Sequence, residues 1–237
     1  NWYFMTHDLE QSSGSDDSRD TAPQAAGDDD SFSGFGQQTF DFTESVKKPK
    51  ASVAQEMLSA PEDLADRFKS FADLEIDQTV VDAVNGIGWS EPTPVQKLCL
   101  PFTLKGRDVA GFAQTGTGKT GVFLITVANA MKKAASDDTH PKAIVLVPTR
   151  ELAMQIDDDC KKVFEPVGIK SVAVFGGIDY EKQARTIRDG ADVIVATPGR
   201  LKDYCNKKVL DLTKIETFIC DEADRMFDMG FIEDVEY

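Results

Sequence analysis

Residues Gly111 to Thr120 read GFAQTGTGKT, a glycine-rich run that ends in Gly-Lys-Thr. A loop of this composition turns its backbone N–H groups toward phosphate oxygens, while the lysine adds positive charge and the threonine hydroxyl suits Mg²⁺. Residues 107–112 are typical of a short buried strand, and residues 118–131 are typical of a helix. Strand, glycine-rich turn and helix are the context that a nucleotide-binding loop requires. Ala113 stands where a first glycine is often found, and a plain Gly/Thr turn is the alternative interpretation.

The composition favours a globular protein with an ordinary core. Of 237 residues, 41% are hydrophobic, and no apolar run reaches the roughly 18 residues that a membrane span needs. The four cysteines lie far apart and no secretory signal is visible, so we expect a cytoplasmic protein without a disulfide framework. The formal charge of −15 argues against a broad basic patch, so any contact with nucleic acid is expected to be local.

The chain divides into a tail and a domain. Residues 1–58 are rich in Ser, Gly and acidic side chains and are predicted to be disordered, whereas residues 59–237 are predicted to form the nucleotide-binding domain. The phenylalanines of the tail are either anchors for a protein partner or neutral. Met5 follows Asn-Trp-Tyr-Phe, and we predict that the natural product begins there. Helices are predicted over residues 63–68 and 77–86.

Four further apolar runs predict strands at residues 143–147, 171–175, 192–196 and 215–220. They are short, rich in β-branched residues and nearly continuous in apolar character, as expected for parallel strands that are covered on both faces. Helical segments separate most of them. The pattern predicts an α/β fold with ligand sites at the carboxyl ends of the strands.

A distinctive motif follows each of these four strands. In chain order the motifs are Pro148-Thr149-Arg150, Gly176-Gly177, Thr197-Pro-Gly199-Arg200 and Asp221-Glu222-Ala-Asp224. A carboxylate that ends an apolar strand downstream of a phosphate-binding loop is suited to hold Mg²⁺, and its neighbour Glu222 is suited to orient a water. The alternative is that Asp221 and Glu222 cap the following helix.

With these motifs, the chain from about Phe71 to its end resembles the first RecA-like lobe of a DEAD-box RNA helicase. AQTGTGKT matches motif I of that family, and residues 221–224 spell its name motif. GWSEPTPVQ at residues 88–96 matches its Q motif, which spans residues 69–97. The resemblance implies a P-loop NTPase domain in which helices flank a parallel sheet.

The resemblance also implies ATP and Mg²⁺ as cofactors and gives roles to named residues. Lys119, Asp221 and Glu222 are implied to be catalytic, with Thr120 and Asp221 as metal ligands. Gln96 is implied to read the adenine edge, and Phe71 to stack on its ring. The other implied ATP-binding residues are Ala113, Gln114, Thr115, Gly116, Thr117, Gly118, Lys119 and Thr120.

Contacts to the RNA backbone, independent of base sequence, are implied for a second set of residues. These are Pro148, Thr149, Arg150, Gly176, Gly177, Thr197, Gly199 and Arg200. Small residues expose backbone N–H groups, and arginine grips phosphate with a fork of donors. The alternative is that Arg150 and Arg200 form ordinary surface salt bridges.

The chain ends thirteen residues after Asp224, before the motif III strand and second lobe of that family. We therefore expect part of a longer helicase that couples ATP hydrolysis to local RNA unwinding, with this part nearly inactive alone. Loss of the motif III strand predicts a gap in the sheet with two unpaired strand edges. A non-catalytic module that binds RNA or a protein partner, and a P-loop motor acting on DNA, are the alternatives. The oligomeric state is left open.

Overall fold

The computed structural model describes residues 2–6 as a backbone strand, together with residues 68–133 and 140–230. Within these ranges a six-stranded sheet has the order β2-β1-β6-β3-β5-β4. The strands are β1 (Trp2–Thr6), β2 (Val109–Gly111), β3 (Ala143–Leu146), β4 (Ser171–Val174), β5 (Val193–Ala196) and β6 (Thr217–Asp221). The predicted α/β fold is confirmed.

Seven α-helices lie in the described ranges. They are α1 (Gln78–Gly86), α2 (Pro94–Thr103), α3 (Lys119–Lys133), α4 (Arg150–Phe164), α5 (Tyr180–Arg188), α6 (Pro198–Asn206) and α7 (Ala223–Asp228). Side chains fix several of the helix starts: Asp77 accepts from the Thr79 N–H at the start of α1, and Thr149 accepts from the Leu152 N–H at the start of α4. The predicted helix at 77–86 is therefore confirmed with Asp77 as its cap, whereas α2 was not predicted.

Strands β6, β3, β5 and β4 are parallel neighbours, as the apolar runs predicted. Successive residues of β3 point to opposite faces: Val145 packs in one core cluster and Ile144 in the other. Val195 and Ile194 divide in the same way in β5. Both faces are thus covered, which explains why these strands lack polar alternation.

The expected gap in the sheet is wrong for the residues described. Strand β1 lies antiparallel between β2 and β6, with Trp2 opposite both Gly111 and Asp221. The backbone groups of the two flanking strands are therefore paired, which removes the cost of leaving them open. The prediction of disorder also fails for residues 2–6, where Met5 pairs with Phe218. The remaining tail, its phenylalanines and the predicted helix at 63–68, apart from Phe68, lie outside the described residues.

The two core clusters place different helices on the two faces of the sheet. One contains Phe123 of α3 and Phe164 of α4, and the other contains Ala184 of α5 and Tyr204 of α6. Burying each of the two phenylalanine side chains stabilises the fold by roughly 1.5–3 kcal/mol. No helix in residues 68–133 or 140–230 has the length and apolar character that a membrane crossing requires.

Candidate functional site

The motifs predicted from the sequence meet at one edge of the sheet. Strands β3 to β6 are parallel, and β2 runs in the same direction as β6 because β1 is antiparallel to both. The carboxyl ends of these five strands therefore lie along one edge, where α/β proteins bind their ligands. Each of the five strands is followed there by one of the motifs.

The loop between β2 and α3 is shaped by two glycines. Gly116 and Gly118 have φ angles of +78° and +94°, which favour glycine strongly. The loop is also closed on itself, since the Lys119 ammonium donates to the carbonyl oxygens of Ala113 and, at 3.1 Å, Gln114. The Thr117 hydroxyl donates to the same Gln114 carbonyl at 2.8 Å. In this conformation the lysine thus occupies the space inside the turn.

Helix α2 braces this loop through the Q-motif glutamine. Gln96 is 3% exposed; its Oε1 accepts from the Thr93 N–H at 2.9 Å, and its Nε2 donates to the Gly118 carbonyl at 3.0 Å. A Cβ atom at Gly121 would lie 2.3 Å from Nε2, so the glycine is needed for this approach. The amide retains one N–H and one lone pair for another partner. Recognition of adenine by Gln96 stays a prediction.

Phe71 occupies a different environment from the one expected for a base-stacking residue. Its side chain is 1% exposed and belongs to the larger core cluster, with Ser70 and Asp73 closing a short turn around it. Stacking of its ring on a base would require the ring to be uncovered, and this role also stays a prediction.

Asp221 ends β6 and is buried, with 6% of its surface exposed. Burial raises the pKa of this carboxyl, while the hydrogen bond from the Glu222 N–H (3.0 Å) and the positive charge of Lys119 act in the opposite direction. Gly111 and Asp221 both pair with Trp2, so the glycine-rich loop and the carboxylate start at the same level of the sheet edge. A desolvated carboxylate in this position is suited to a cation.

Glu222 adopts an unusual backbone conformation for a residue other than glycine. Its φ and ψ of 52° and 44° are left-handed, a state that costs about 1–3 kcal/mol and often marks functional sites. The side chain accepts from Arg225 Nη1 at 3.1 Å and makes no capping hydrogen bond to α7. Among the described residues, the side chain of Asp221 accepts one hydrogen bond, from the adjacent Glu222 N–H. The helix-capping alternative therefore finds no support in these contacts.

Magnesium fits these residues. Mg²⁺ typically binds proteins through one or two side-chain oxygens and completes its shell with waters and phosphates. Asp221 supplies a buried carboxylate with one oxygen bonded to the chain, and Thr120 lies at the start of α3 on the facing loop. No group of three or more metal-ligating side chains occurs in the part of the chain that the structure describes.

The predicted RNA-binding residues surround a separate cavity of about 630 Å³, which we call the RNA-side cavity. It is lined by Pro148, Thr149, Arg150, Glu151, Gly176, Thr197, Gly199, Arg200, Asp203 and Met229. Gly177 lies beside it, because a Cβ there would be 2.3 Å from Arg150 Nη1. The eight predicted residues are thus brought together. Asp203 follows Gly199 by one helical turn and could have been inferred from helix periodicity. No pattern in the sequence indicated Met229.

The two arginines of the RNA-side cavity share its lining with the carboxylates of Glu151 and Asp203 but form no ion pair with them. Arg200 donates from Nη1 to Gln183 Oε1 (3.2 Å) and to the Tyr204 hydroxyl (3.4 Å), and from Nη2 to the Ile178 carbonyl (3.4 Å). Within residues 68–133 and 140–230, neither Arg150 nor Arg200 has a carboxylate partner within 4 Å. The salt-bridge alternative is not supported, and the two free charges suit a phosphate backbone.

Comparison with known proteins identifies the family of this chain. The family model for "DEAD/DEAH box helicase" matches residues 93–237. An ATP-dependent RNA helicase RhlB from Photobacterium profundum is 43% identical over 71% of this chain and 40% of its own length. The Xanthomonas campestris RhlB (strain B100) is 45% identical over 71% of this chain and 30% of its own length. The chain therefore spans less than half of these relatives.

Solved structures give the same picture. The RNA-helicase Prp28 from Chaetomium thermophilum, bound to ADP, matches 68% of this chain and 40% of its own with a TM-score of 0.62 and 38% identity. A hypothetical ATP-dependent RNA helicase from Sulfolobus tokodaii matches 68% of this chain and 45% of its own with a TM-score of 0.60 and 35% identity.

Proposed function

Because this chain belongs to the DEAD/DEAH box helicase family, we propose that it forms the ATP- and RNA-binding lobe of an ATP-dependent RNA helicase. The observation that carries the proposal is the placement of the two motifs in the sheet: Gly111, where β2 leads into the glycine-rich loop, and the buried Asp221 at the end of β6 both pair with Trp2. A cation on a phosphate-binding turn and a buried carboxylate opposite it are the two parts that Mg·ATP requires. In this role the protein works in the cytoplasm, consistent with its scattered free cysteines.

In this proposal the glycine-rich loop binds the triphosphate. Lys119 leaves the carbonyl oxygens of Ala113 and Gln114 and turns its ammonium toward the β- and γ-phosphates, where the charge is worth more. Gln96 uses its remaining N–H and lone pair for the adenine edge. Thr120 and Asp221 hold Mg²⁺, which supplies positive charge to the phosphate oxygens when bound.

Glu222 is the residue that orients the attacking water. Its left-handed backbone turns the side chain away from the N–H groups of α7, and Arg225 holds one carboxylate oxygen at 3.1 Å. The other oxygen is available to accept a hydrogen bond from a water. The water oxygen attacks the γ-phosphorus while the bond from that phosphorus to the β,γ-bridging oxygen breaks, so that ADP leaves and a proton of the water passes to Glu222.

The RNA-side cavity binds a single strand through its sugar-phosphate backbone. Arg150 and Arg200 supply two charges that form no ion pair with a described carboxylate, and Gly176 and Gly199 expose backbone groups at the rim. Contacts of this kind carry no base code, so binding is independent of sequence and sensitive to the 2′-hydroxyl. The whole protein couples ATP hydrolysis to local unwinding of RNA duplexes. Arginines supplied by a second lobe are worth roughly 10³–10⁵ in rate, so this chain alone is nearly inactive.

The test is a pair of variants in the whole protein. We expect Glu222→Gln to bind ATP within about twofold of wild type and to lose about 100-fold or more of RNA-stimulated turnover. Asp228→Asn, which changes an exposed carboxylate at the end of the helix that follows Glu222, is the matched control and retains activity. Normal hydrolysis by Glu222→Gln contradicts the assignment of this residue. Equal stimulation by DNA of the same sequence contradicts the choice of RNA.

A further inference from the structure

We propose that Tyr204 is a positioning residue for RNA binding, whose hydroxyl holds the Arg200 guanidinium against the loop after β4. The inference rests on the proposed function, since it explains how one charged group of the RNA-side cavity is kept in place. Tyr204 itself does not line that cavity.

Tyr204 is fully buried in α6, and its hydroxyl lies among polar atoms. The hydroxyl donates to the Tyr180 carbonyl at 2.8 Å, while its oxygen lies 3.2 Å from Gln183 Oε1 and 3.4 Å from Arg200 Nη1. Burial raises the pKa of Tyr204, so the group stays a neutral hydroxyl. Its single proton goes to the shortest contact, and the oxygen is then free to accept from Arg200.

Gln183 completes the support of the same guanidinium nitrogen. Its side chain is buried, and Nε2 donates to the Phe175 carbonyl at 3.3 Å, which orients Oε1 toward Arg200 Nη1 at 3.2 Å. Arg200 Nη2 reaches the Ile178 carbonyl at 3.4 Å. Phe175 and Ile178 stand on either side of the Gly176–Gly177 pair, so one guanidinium links α5 and α6 to the loop that rims the cavity.

All these acceptors are neutral, and this is the observation that favours a binding role over a purely structural one. The guanidinium carbon lies 5.4 Å from the Tyr180 ring centre and 5.6 Å from the Tyr204 ring centre, so aromatic faces also contact it. A carboxylate would fix Arg200 equally well but would cancel its charge. The cluster holds the side chain and leaves the charge for an anion such as a backbone phosphate.

The neighbouring tyrosine provides a matched control. The Tyr180 hydroxyl is buried and has no hydrogen-bond partner among the described residues. The two rings are 4.6 Å apart, so Tyr180→Phe and Tyr204→Phe delete the same atom from adjacent positions. Only the second deletion removes hydrogen bonds.

The experiment measures binding of a fluorescein-labelled single-stranded oligouridylate by anisotropy at low salt. We expect Tyr204→Phe to weaken binding about fivefold, as loss of buried hydrogen bonds predicts, and Tyr180→Phe to change it less than about twofold. In an Arg200→Ala background, Tyr204→Phe should have no further effect, since both changes act through one group. A full additional loss in that background, or no loss in the single variant while Arg200→Ala weakens binding, overturns the inference.

A second measurement separates this inference from the proposed function. If Arg200→Ala leaves RNA affinity unchanged, the RNA-binding role of the cavity fails, and the order parameter of the Arg200 Nε–H group then tests the positioning role by NMR without RNA. Loss of order in Tyr204→Phe but not in Tyr180→Phe supports the inference, and unchanged order in both overturns it. Should Tyr204→Phe fail to fold, Gln183→Leu takes its place, because it removes the other acceptor of Nη1.

Discussion

The nucleotide side and the RNA side of the sheet edge differ in how their polar groups are satisfied. On the nucleotide side, Lys119 donates to backbone carbonyls of its own loop, and both ends of the Gln96 amide are bonded. On the RNA side, Arg150 and Arg200 have no carboxylate partner in the described ranges, and they border an open cavity of about 630 Å³. One side is closed by internal bonds, and the other is already open.

If the proposed function is correct, this difference determines what each ligand must do on binding. A nucleotide has to replace the internal bonds of Lys119, so part of its binding energy is spent on rearrangement. A single-stranded backbone meets a cavity in which Arg200 is held by neutral partners and needs little rearrangement. We therefore expect nucleotide affinity to depend on the loop conformation, and RNA affinity to follow the charges alone.

The largest effect is expected for Lys119→Ala. Loss of this charge removes charge-assisted hydrogen bonds to the phosphates, so ATP affinity of the whole protein should fall about 100-fold or more. Binding of a fluorescent ATP analogue measures it. Lys133→Ala, an exposed lysine at the other end of α3, is the control and retains affinity. RNA affinity without nucleotide should stay unchanged in both, and a parallel loss would show that the two sides are not separate.

The next largest effect is expected for Gly118→Ala, which tests how closely the glycine-rich loop packs against the Q motif. A Cβ at Gly118 would lie 2.7 Å from Thr93 Oγ1, at a φ of +94°, so the change adds both backbone strain and a clash. Gly190 has a φ of +96° with open space around it, and Gly190→Ala measures the strain alone. We expect a loss of about 1 kcal/mol of unfolding free energy for Gly190→Ala and about 1–3 kcal/mol more for Gly118→Ala. Urea denaturation gives both values, and equal losses would contradict the packing of the loop on the Q motif.

On the RNA side, Arg150→Ala should weaken binding of single-stranded RNA about fivefold. It should also reduce the slope of log affinity against log salt concentration by about one. The reason is that its guanidinium has no hydrogen-bond or ion-pair partner within residues 68–133 and 140–230 to compensate for the lost phosphate contact. Arg185→Ala, on the exposed surface of α5, is the control. Affinity measured from low to moderate salt decides the outcome. An unchanged salt slope in Arg150→Ala would mean that this charge does not meet a phosphate.

The sequence predicted the strands and the order of motifs because both depend on local patterns. Continuous apolar runs such as residues 143–147 allow few structures other than a buried parallel strand, and the motif after each strand then falls on one sheet edge. The fold and the grouping of the RNA-side residues could therefore be predicted from the sequence.

Features that depend on the approach of distant segments were not predicted. The strand β1 pairs residues more than a hundred positions apart in sequence, and nothing in Trp2–Thr6 specifies that partner. The bonds of Gln96 to the glycine-rich loop and the burial of Phe71 follow from packing between helices. The left-handed Glu222 had no signal either, because glutamate rarely adopts that conformation.

The smallest effect is expected for Asp221→Asn. This variant tests whether the buried charge of Asp221, on the nucleotide side, destabilises the folded state. Burial raises the pKa of Asp221 above its ordinary value of 3.8, so the folded state binds the proton more tightly than the unfolded state. The wild-type carboxylate therefore lowers the free energy of unfolding as pH rises through the raised pKa. We expect Asp221→Asn to be more stable than wild type at neutral pH, with the difference closing toward pH 3.8 and below. Chemical denaturation at several pH values without Mg²⁺ measures this.

Asp77→Asn provides a control with the opposite sign. Hydrogen bonds from the Thr79 hydroxyl and N–H lower the pKa of Asp77, so its stabilisation is present above the ordinary value and is lost as pH falls through the lowered pKa. This variant should be less stable than wild type at neutral pH, although asparagine also caps helices. If both variants shift stability in the same direction, the shift arises from the substitution to asparagine rather than from the buried charge. Opposite signs would show that the buried charge of Asp221 destabilises the folded state, and a bound cation could then remove this destabilisation.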